Sequence, residues 1–511
     1  MSRRERVEVA LATLLGLGLF LAFAGRGRLP LDNDALYAHV IRCMRVGGDW
    51  LQPNVLGVPF LDKPPLFYWL GAAFTALLGE SELTLRLSAA LFGALTVGAL
   101  VLAARRSSAH GGAAPLAVAA LLSVPLFVEY SRRVYMEVPV AFCVLGALLA
   151  YQHASEGLDG RGGRPGYHLW AGLLVGLGVM LKSLVGLFGV LPVLVLLVLR
   201  RRWRDLRSGW LWAGGVLAAV VAVPWHAWQL VTARSVFLDF TWRLHVEDQI
   251  LQAQPWSAGP PWFYLEKLCT DEPTLGAIIL VGVGLSAYQL VRGRLDGLNR
   301  LLVLAVLIML AVFSFSATKK VLYLVPVAPP AVLLLARLVA GLASTPRLTL
   351  LAAGCAALLA FRALPLFDPE GEFLRGAEAD VQAARAAARV TETGGTINLL
   401  DHYFSAFQYY ADRRTVSYWR DPRVVQQTRR IPYIRHGDNM RAVGAQDARA
   451  VGRDELLHLL LERQPGVWVV SRGGAGLLNG ELRPRVIHQD QRWLVLDTRR
   501  GAPSAPRPPE P

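Results

Sequence analysis

Charge is scarce in this sequence: Lys, Arg, Asp and Glu make up 18% of its 511 residues, against 54% hydrophobic ones. So few polar side chains cannot cover a water-facing surface around that much apolar material, and the mean hydropathy is +0.38. An ordinary globular enzyme is excluded, and the composition is that of a polytopic membrane protein. Cysteine is scarce too. Cys43, Cys143, Cys269 and Cys355 are scattered, three of them within or at the ends of apolar segments, with no CxxC spacing. That pattern excludes a disulfide framework and a zinc knuckle. There is no tandem repeat of fixed period, so no solenoid is expected. The net charge of +15 does not indicate nucleic acid, because the arginines form short clusters beside apolar runs instead of lining one polar face.

What the sequence has in abundance is apolar runs of spanning length. Arg3, Arg4 and Arg6 precede the first, Val7 to Ala24. Ala22-Phe23-Ala24 resembles a signal-peptide cleavage site, but an uncleaved first span is the better reading because many more follow. Further runs lie at 84–104, 113–130, 134–152, 170–181, 183–199, 208–231, 274–291, 300–316, 320–341 and 347–364. About eleven transmembrane helices are therefore expected. With the N-terminus cytoplasmic, Arg105 and Arg106, Arg161 and Arg164, the Arg200–Arg207 cluster, Arg292, Arg294, Arg300 and Arg347 all fall inside. This satisfies the rule that basic residues stay on the cytoplasmic side of the membrane.

Residues 1–365 read as the membrane domain, with a first outside loop at 25–83 and a long outside loop at 232–271. From Leu366 the pattern changes to short alternating strands (TINLLD, VWVVS, RWLVLD) and amphipathic helices, so 366–499 reads as a small extracytoplasmic α/β domain. The Pro-rich 500–511 reads as a disordered tail.

Polar residues at span edges stand out against this background, because a charge near hydrocarbon costs about 2.5 kcal/mol or more unless it has a partner, water or a task. Asp32 and Asp34 follow the first span. Carboxylates there suit proton acceptance or metal binding, although an Asp before ALYAHVIRCM is also an ordinary helix N-cap. Asp62-Lys63-Pro64-Pro65 sets an acid and a base before a stiff helix start, where the lysine suits a phosphate or the segment is a plain interfacial turn. Glu137, Lys182 and Lys319 sit at span edges, where snorkelling to the interface is the alternative to a function.

The order D-x-D-A-L-Y-A, then Gly48-Asp49-Trp50, then Gly57 to Trp69 (GVPFLDKPPLFYW), then RLSAALF from Arg86 resembles the GT-C glycosyltransferases. Within them it is most similar to the bacterial lipid A aminoarabinose transferases and their protein O-mannosyltransferase relatives. The fold implied is a polytopic α-helical membrane protein of about eleven helices with a small C-terminal extracytoplasmic α/β domain. The family's acid pair, whose first member is catalytic, falls on Asn33 and Asp34 with Asp32 one residue earlier, so the resemblance leaves Asp34 and Asp32 as alternatives. Its second acid falls on Glu137 in YSRRVYMEVPVAF. The E-K-P element becomes Asp62-Lys63-Pro64, which implies a metal-binding acid and a phosphate-binding lysine, and the matching metal histidine is His245 in FTWRLHVEDQ. The family arginine after this histidine is absent, and Glu247, Asp248 and Gln249 stand there. Lys182 matches the lysine of a K-G element, with Ser183 replacing Gly; Lys319, Lys320 and Tyr323 match K-x-K-x-x-Y.

The resemblance implies inverting transfer of a sugar from a polyprenyl phosphate donor to a lipid, glycan or protein acceptor at the outer face of the cytoplasmic membrane. Asp34 or Asp32 would be the base, with Glu137 assisting. Lys63, Lys182, Lys319, Lys320 and Tyr323 would hold the phosphate, and a divalent metal (Zn, Mg or Mn) could sit at Asp62 and His245. No nucleotide cofactor is expected. The alternatives are a polytopic transporter or flippase, which should carry charges in mid-span, and a catalytically degenerate scaffold, suggested by Asn33 and the missing arginine.

Overall fold

The computed structural model describes residues 2–22, 24–25, 28–29, 33–55, 57–107, 112–157, 162–201, 205–241, 259–342, 345–363, 372–392, 395–400, 409–419, 440–442, 466–471 and 485–499. Asp32 and His245 lie outside the described residues. The helices run α1 (Arg3–Leu21), α2 (Asn33–Gly47), α3 (Leu66–Leu78), α4 (Glu82–Ser107), α5 (Ala113–Leu122), α6 (Pro125–Tyr130), α7 (Glu137–Ser155), α8 (Tyr167–Lys182), α9 (Leu191–Leu199), α10 (Gly209–Thr232), α11 (Arg234–Leu238), α12 (Phe263–Thr270), α13 (Pro273–Val291), α14 (Gly297–Phe315), α15 (Ala328–Ala340), α16 (Thr345–Ala363) and α17 (Glu372–Val390). The strands are β1 (Asn54–Val55), β2 (Val58–Pro59), β3 (Thr396–Leu400), β4 (Arg414–Trp419), β5 (Met440–Ala442), β6 (Val467–Ser471), β7 (Arg485–Gln489) and β8 (Trp493–Asp497).

The chain forms two compact units, and they do not divide at a single point near Leu366. The first comprises 1–26, 48–53 and 61–368; the second comprises 27–47, 54–60 and 369–511. Two pieces of the stretch between α1 and α3 thus group with the C-terminal residues. The reason is long-range bonding: Arg28 pairs with Glu378 at 2.8 Å, the Leu29 N–H donates to Tyr410 Oη at 2.9 Å, and Arg42 donates to the Tyr409 carbonyl.

In the first unit, seven segments among the described residues are long and apolar enough to cross a membrane: α4, α7, the run Tyr167–Leu199, α10, α13, α14 and the run Val321–Ala340. The expected span at 113–130 is divided into α5 and α6, because Pro125 cannot continue the hydrogen-bond ladder of the preceding helix. The expected pair at 170–199 is present as two segments: α8 ends at Lys182, the backbone breaks at Ser183, and the 3-10 stretch Ser183–Gly189 that leads into α9 folds back against α8. α1 and α16 form where spans were expected, but neither is among the seven. α1 starts on a capping box, Ser2 with Glu5, which meets two otherwise orphaned N–H groups.

At one end of α14, Asp296 caps the helix and pairs with Arg337 at 2.8 Å. Arg337 also donates to Asn299 Oδ1 and to the Ser107 carbonyl, each at 2.8 Å. This buried guanidinium is bonded through Nε, Nη1 and Nη2, and it ties α4, α14 and α15 together.

The second unit holds a mixed six-stranded sheet in the order β5-β4-β3-β6-β8-β7, parallel across β5-β4-β3-β6 and antiparallel at β6-β8-β7. α17 lies against it. Asp380 of α17 accepts the Trp493 indole N–H, and burial pushes its carboxyl up to about 6. β1 and β2 form a small hairpin, and α2 buries Asp34, Tyr37, His39 and Ile41.

Candidate functional site

The other end of the first unit gathers most of the motif residues. Asp62 and Lys63 stand just before α3 and pair at 2.9 Å. Pro65 precedes α3, and its carbonyl accepts the Trp69 N–H at 2.8 Å, so the turn that presents the pair is held by the start of the helix. Upstream, the Trp50 carbonyl accepts the Trp69 indole N–H at 2.6 Å. The Leu51 carbonyl accepts both Trp225 Nε1 at 2.8 Å and Gln229 Nε2 at 2.6 Å from α10.

Glu137 is the first residue of α7 and Lys182 the last of α8. Both are buried, and they meet at 2.5 Å. The second carboxylate oxygen of Glu137 has no hydrogen-bond partner among the described residues. The close packing of the 3-10 stretch against α8 depends on glycine: a Cβ on Gly186 would come within 2.2 Å of the Gly178 carbonyl carbon. Ser183, at the junction, takes φ +43 and ψ −119. That region favours glycine, so a side chain there carries strain of about 1 kcal/mol or more. Lys182 also faces the Tyr323 ring, with 5.0 Å from Nζ to the centroid. Tyr323 packs on Phe313, which packs on Phe188.

Lys319 and Lys320 are adjacent in sequence and differently employed. Lys319 Nζ donates to the carbonyls of Phe313 at 3.2 Å and Ser314 at 2.6 Å, and also to that of Ser316. It satisfies the orphan carbonyls at the end of α14, where a cation is also favoured by the helix dipole. The ammonium's three protons are thus all engaged by backbone carbonyls in this structure. Lys320 instead enters the cluster, where the charges of Lys63, Asp62, Lys182 and Glu137 all act on it. Its ammonium has no hydrogen-bond partner among the described residues.

Among the described residues the result is three lysines against two carboxylates, a partly buried group with one cation in excess. An anion with several acceptor oxygens is the complementary ligand. Two tyrosines complete the surroundings, and the sequence did not mark either as functional. Tyr68 is fully buried and feels both Asp62 and Glu137, while Tyr264 of α12 bonds the Lys320 backbone. Neither carries a charge that would stand out against an apolar background, and a single Tyr in a long loop such as 232–271 gives no signal.

Asp34 lies in the first turn of α2, fully buried, in the second unit. Among the described residues no group of three His, Cys, Asp or Glu could hold a metal ion. Asp62 is engaged by Lys63, and the histidine expected to join it is outside the described residues.

A membrane-spanning helical bundle with this cluster at one end and a separate α/β unit has the fold of the GT-C membrane glycosyltransferases. The crystal structure of ArnT from Cupriavidus metallidurans bound to undecaprenyl phosphate superposes with a TM-score of 0.75 at 17% identity, covering 98% of this chain and 99% of that one. The Archaeoglobus fulgidus oligosaccharyltransferase tethered with an acceptor peptide gives a TM-score of 0.52 at 14% identity, covering 91% and 69%. In sequence, the family model of dolichyl-phosphate-mannose-protein mannosyltransferases matches residues 62–228. The undecaprenyl phosphate-α-4-amino-4-deoxy-L-arabinose arabinosyl transferase of Pseudomonas aeruginosa LESB58 is 30% identical over 346 residues, or 66% of this chain. The corresponding enzyme of Edwardsiella ictaluri is 27% identical over 335 residues. The chain spans 60% of the length of the Pseudomonas relative. It is a multi-pass membrane protein that resembles the aminoarabinose transferases and O-mannosyltransferases.

Proposed function

We propose that this protein transfers a sugar from a polyprenyl phosphate to an acceptor at the outer face of the inner membrane. The observation that carries the reading is the cluster of Lys63, Lys182 and Lys320 around Asp62 and Glu137, one cation in excess. In the reaction the acceptor hydroxyl or amine attacks the sugar's anomeric carbon from the face opposite the phosphate. The C–O bond to phosphate breaks, the electron pair leaves with the phosphate, and the configuration inverts. Asp34 or Asp32 takes the acceptor proton. The lysines stabilise the charge developing on the departing phosphate, preorganised in surroundings where water is sparse. Glu137 holds Lys182 in place, and Tyr323 presents a ring face to the same ammonium. Lys319 supports Lys320 from the backbone side.

The names of the relatives support undecaprenyl phosphate as the donor's lipid and aminoarabinose as one sugar to try. The acceptor class spans lipid A, protein and other glycans. A divalent Zn, Mg or Mn ion at Asp62 and His245 would add charge neutralisation at the phosphate, in competition with Lys63 for Asp62. The basic clusters support a cytoplasmic N-terminus and a C-terminal unit outside.

The test uses membranes containing the full chain and labelled polyprenyl-phosphate sugars. Turnover is expected, with a loss of about a hundredfold or more in a variant carrying both Asp32→Ala and Asp34→Ala. Full turnover by that variant would rule out the base assignment. Donor binding without any turnover would favour the degenerate scaffold reading.

A further inference from the structure

Tyr264 belongs to no motif, yet its hydroxyl grips one residue of the cluster from both sides. Tyr264 Oη accepts the Lys320 N–H at 3.2 Å and donates to the Lys320 carbonyl at 3.3 Å. Lys320 is an extended residue, φ −143 and ψ 129, between the end of α14 and the 3-10 stretch Val321–Val327. A lone extended residue has no helix ladder to fix it. Its carbonyl is shared with the Tyr323 N–H at 3.0 Å, and the N–H relies on Tyr264. The Tyr264 side chain is fully buried, with Phe263 edge-on at 5.1 Å and Phe313 at 6.2 Å. Burial pushes its phenol up to about 12, so it remains a proton donor at neutral pH. On the far side of the same residue, Lys319 is tied to the end of α14. Lys320 is therefore held from two directions while its own ammonium stays uncommitted among the described residues.

We propose that Tyr264 is a positioning residue for donor binding: by fixing the Lys320 backbone, it keeps that ammonium beside Lys63 and Lys182 and so sets the affinity for the phosphate of a polyprenyl phosphate. This rests on the donor reading above. The side chain touches no reacting atom and acts through Lys320. Tyr264→Phe keeps the ring and its packing and removes only the two hydrogen bonds to Lys320.

The experiment titrates undecaprenyl phosphate into the full chain in lipid nanodiscs and follows binding by native mass spectrometry. It compares the wild type, Tyr264→Phe, Lys320→Met and the double variant. Tyr264→Phe is expected to bind about tenfold more weakly, the scale of a lost buried hydrogen bond. The double variant should bind no more weakly than Lys320→Met alone, because two residues acting through one ammonium are not additive. A general structural defect would give additive losses, and additivity overturns the assignment, as does unchanged binding by Tyr264→Phe. If the folded wild type fails to bind undecaprenyl phosphate, the donor reading falls and this inference falls with it. Equal binding by the wild type and Tyr264→Phe removes the Tyr264 assignment alone.

Discussion

The two ends of α14 show buried cations in opposite conditions. At its start, the Arg337 guanidinium is matched by Asp296, Asn299 and the Ser107 carbonyl, and it locks three helices together. Beyond its end, Lys63, Lys182 and Lys320 outnumber the carboxylates around them. Between these extremes stands Lys319, only one residue from Lys320 and fully spent on backbone carbonyls. Buried charge alone therefore does not mark a functional site. The informative feature is charge left over once the local partners are counted.

If the comparison holds, the largest effect on stability comes from the matched end. Arg337→Met leaves Asn299 and the Ser107 carbonyl without their donor, and a loss of about 3 kcal/mol of stability is expected. Donor affinity per folded molecule should be unchanged. A thermal melt in detergent paired with a donor-binding titration reads both quantities, and a specific loss of affinity would break the contrast. Lys319→Met comes next, with a loss of about 1 to 2 kcal/mol as the end of α14 loses its cap. Its donor KM should stay within about twofold of wild type, far from the loss expected on removing a charged phosphate ligand. A large rise in KM with an unchanged melting point would return Lys319 to the anion site.

The smallest effect has the opposite sign. Ser183→Gly relieves the strained junction beside Lys182 and should stabilise the protein by about 1 kcal/mol, less the entropy glycine adds to the unfolded chain. A lower melting temperature would show that the Ser183 side chain contributes more than its backbone strain costs.

Much of the lysine end was legible in the sequence, for a physical reason. Lys182 and Glu137 each interrupt or border an apolar run, where a charge is costly enough to stand out. The motif around Asp62 and Lys63 added two more residues. Sequence could not separate Lys319 from Lys320, since identical side chains at adjacent positions are assigned by the backbone path beyond α14. Nor could it identify Tyr264, whose role depends on a contact with a residue 56 positions away. The grouping of α2 with the C-terminal unit was missed for the same reason: the bonds of Arg28 and Arg42 reach across more than 300 residues of chain. The division of 113–130 into α5 and α6 had a local signal that was available, Pro125.

The Leu51 carbonyl has a further consequence. It binds the loop before Asp62 to Trp225 and Gln229 of α10, a helix whose Val216, Val220, Val223 and Val231 are all exposed. An exposed apolar face of this kind suits lipid, and a helix in lipid meets a change of bilayer thickness by tilting. With the loop tied to that helix, such a tilt would pull on the backbone ahead of Asp62 and Lys63, and turnover compared in bilayers of different chain length would read it.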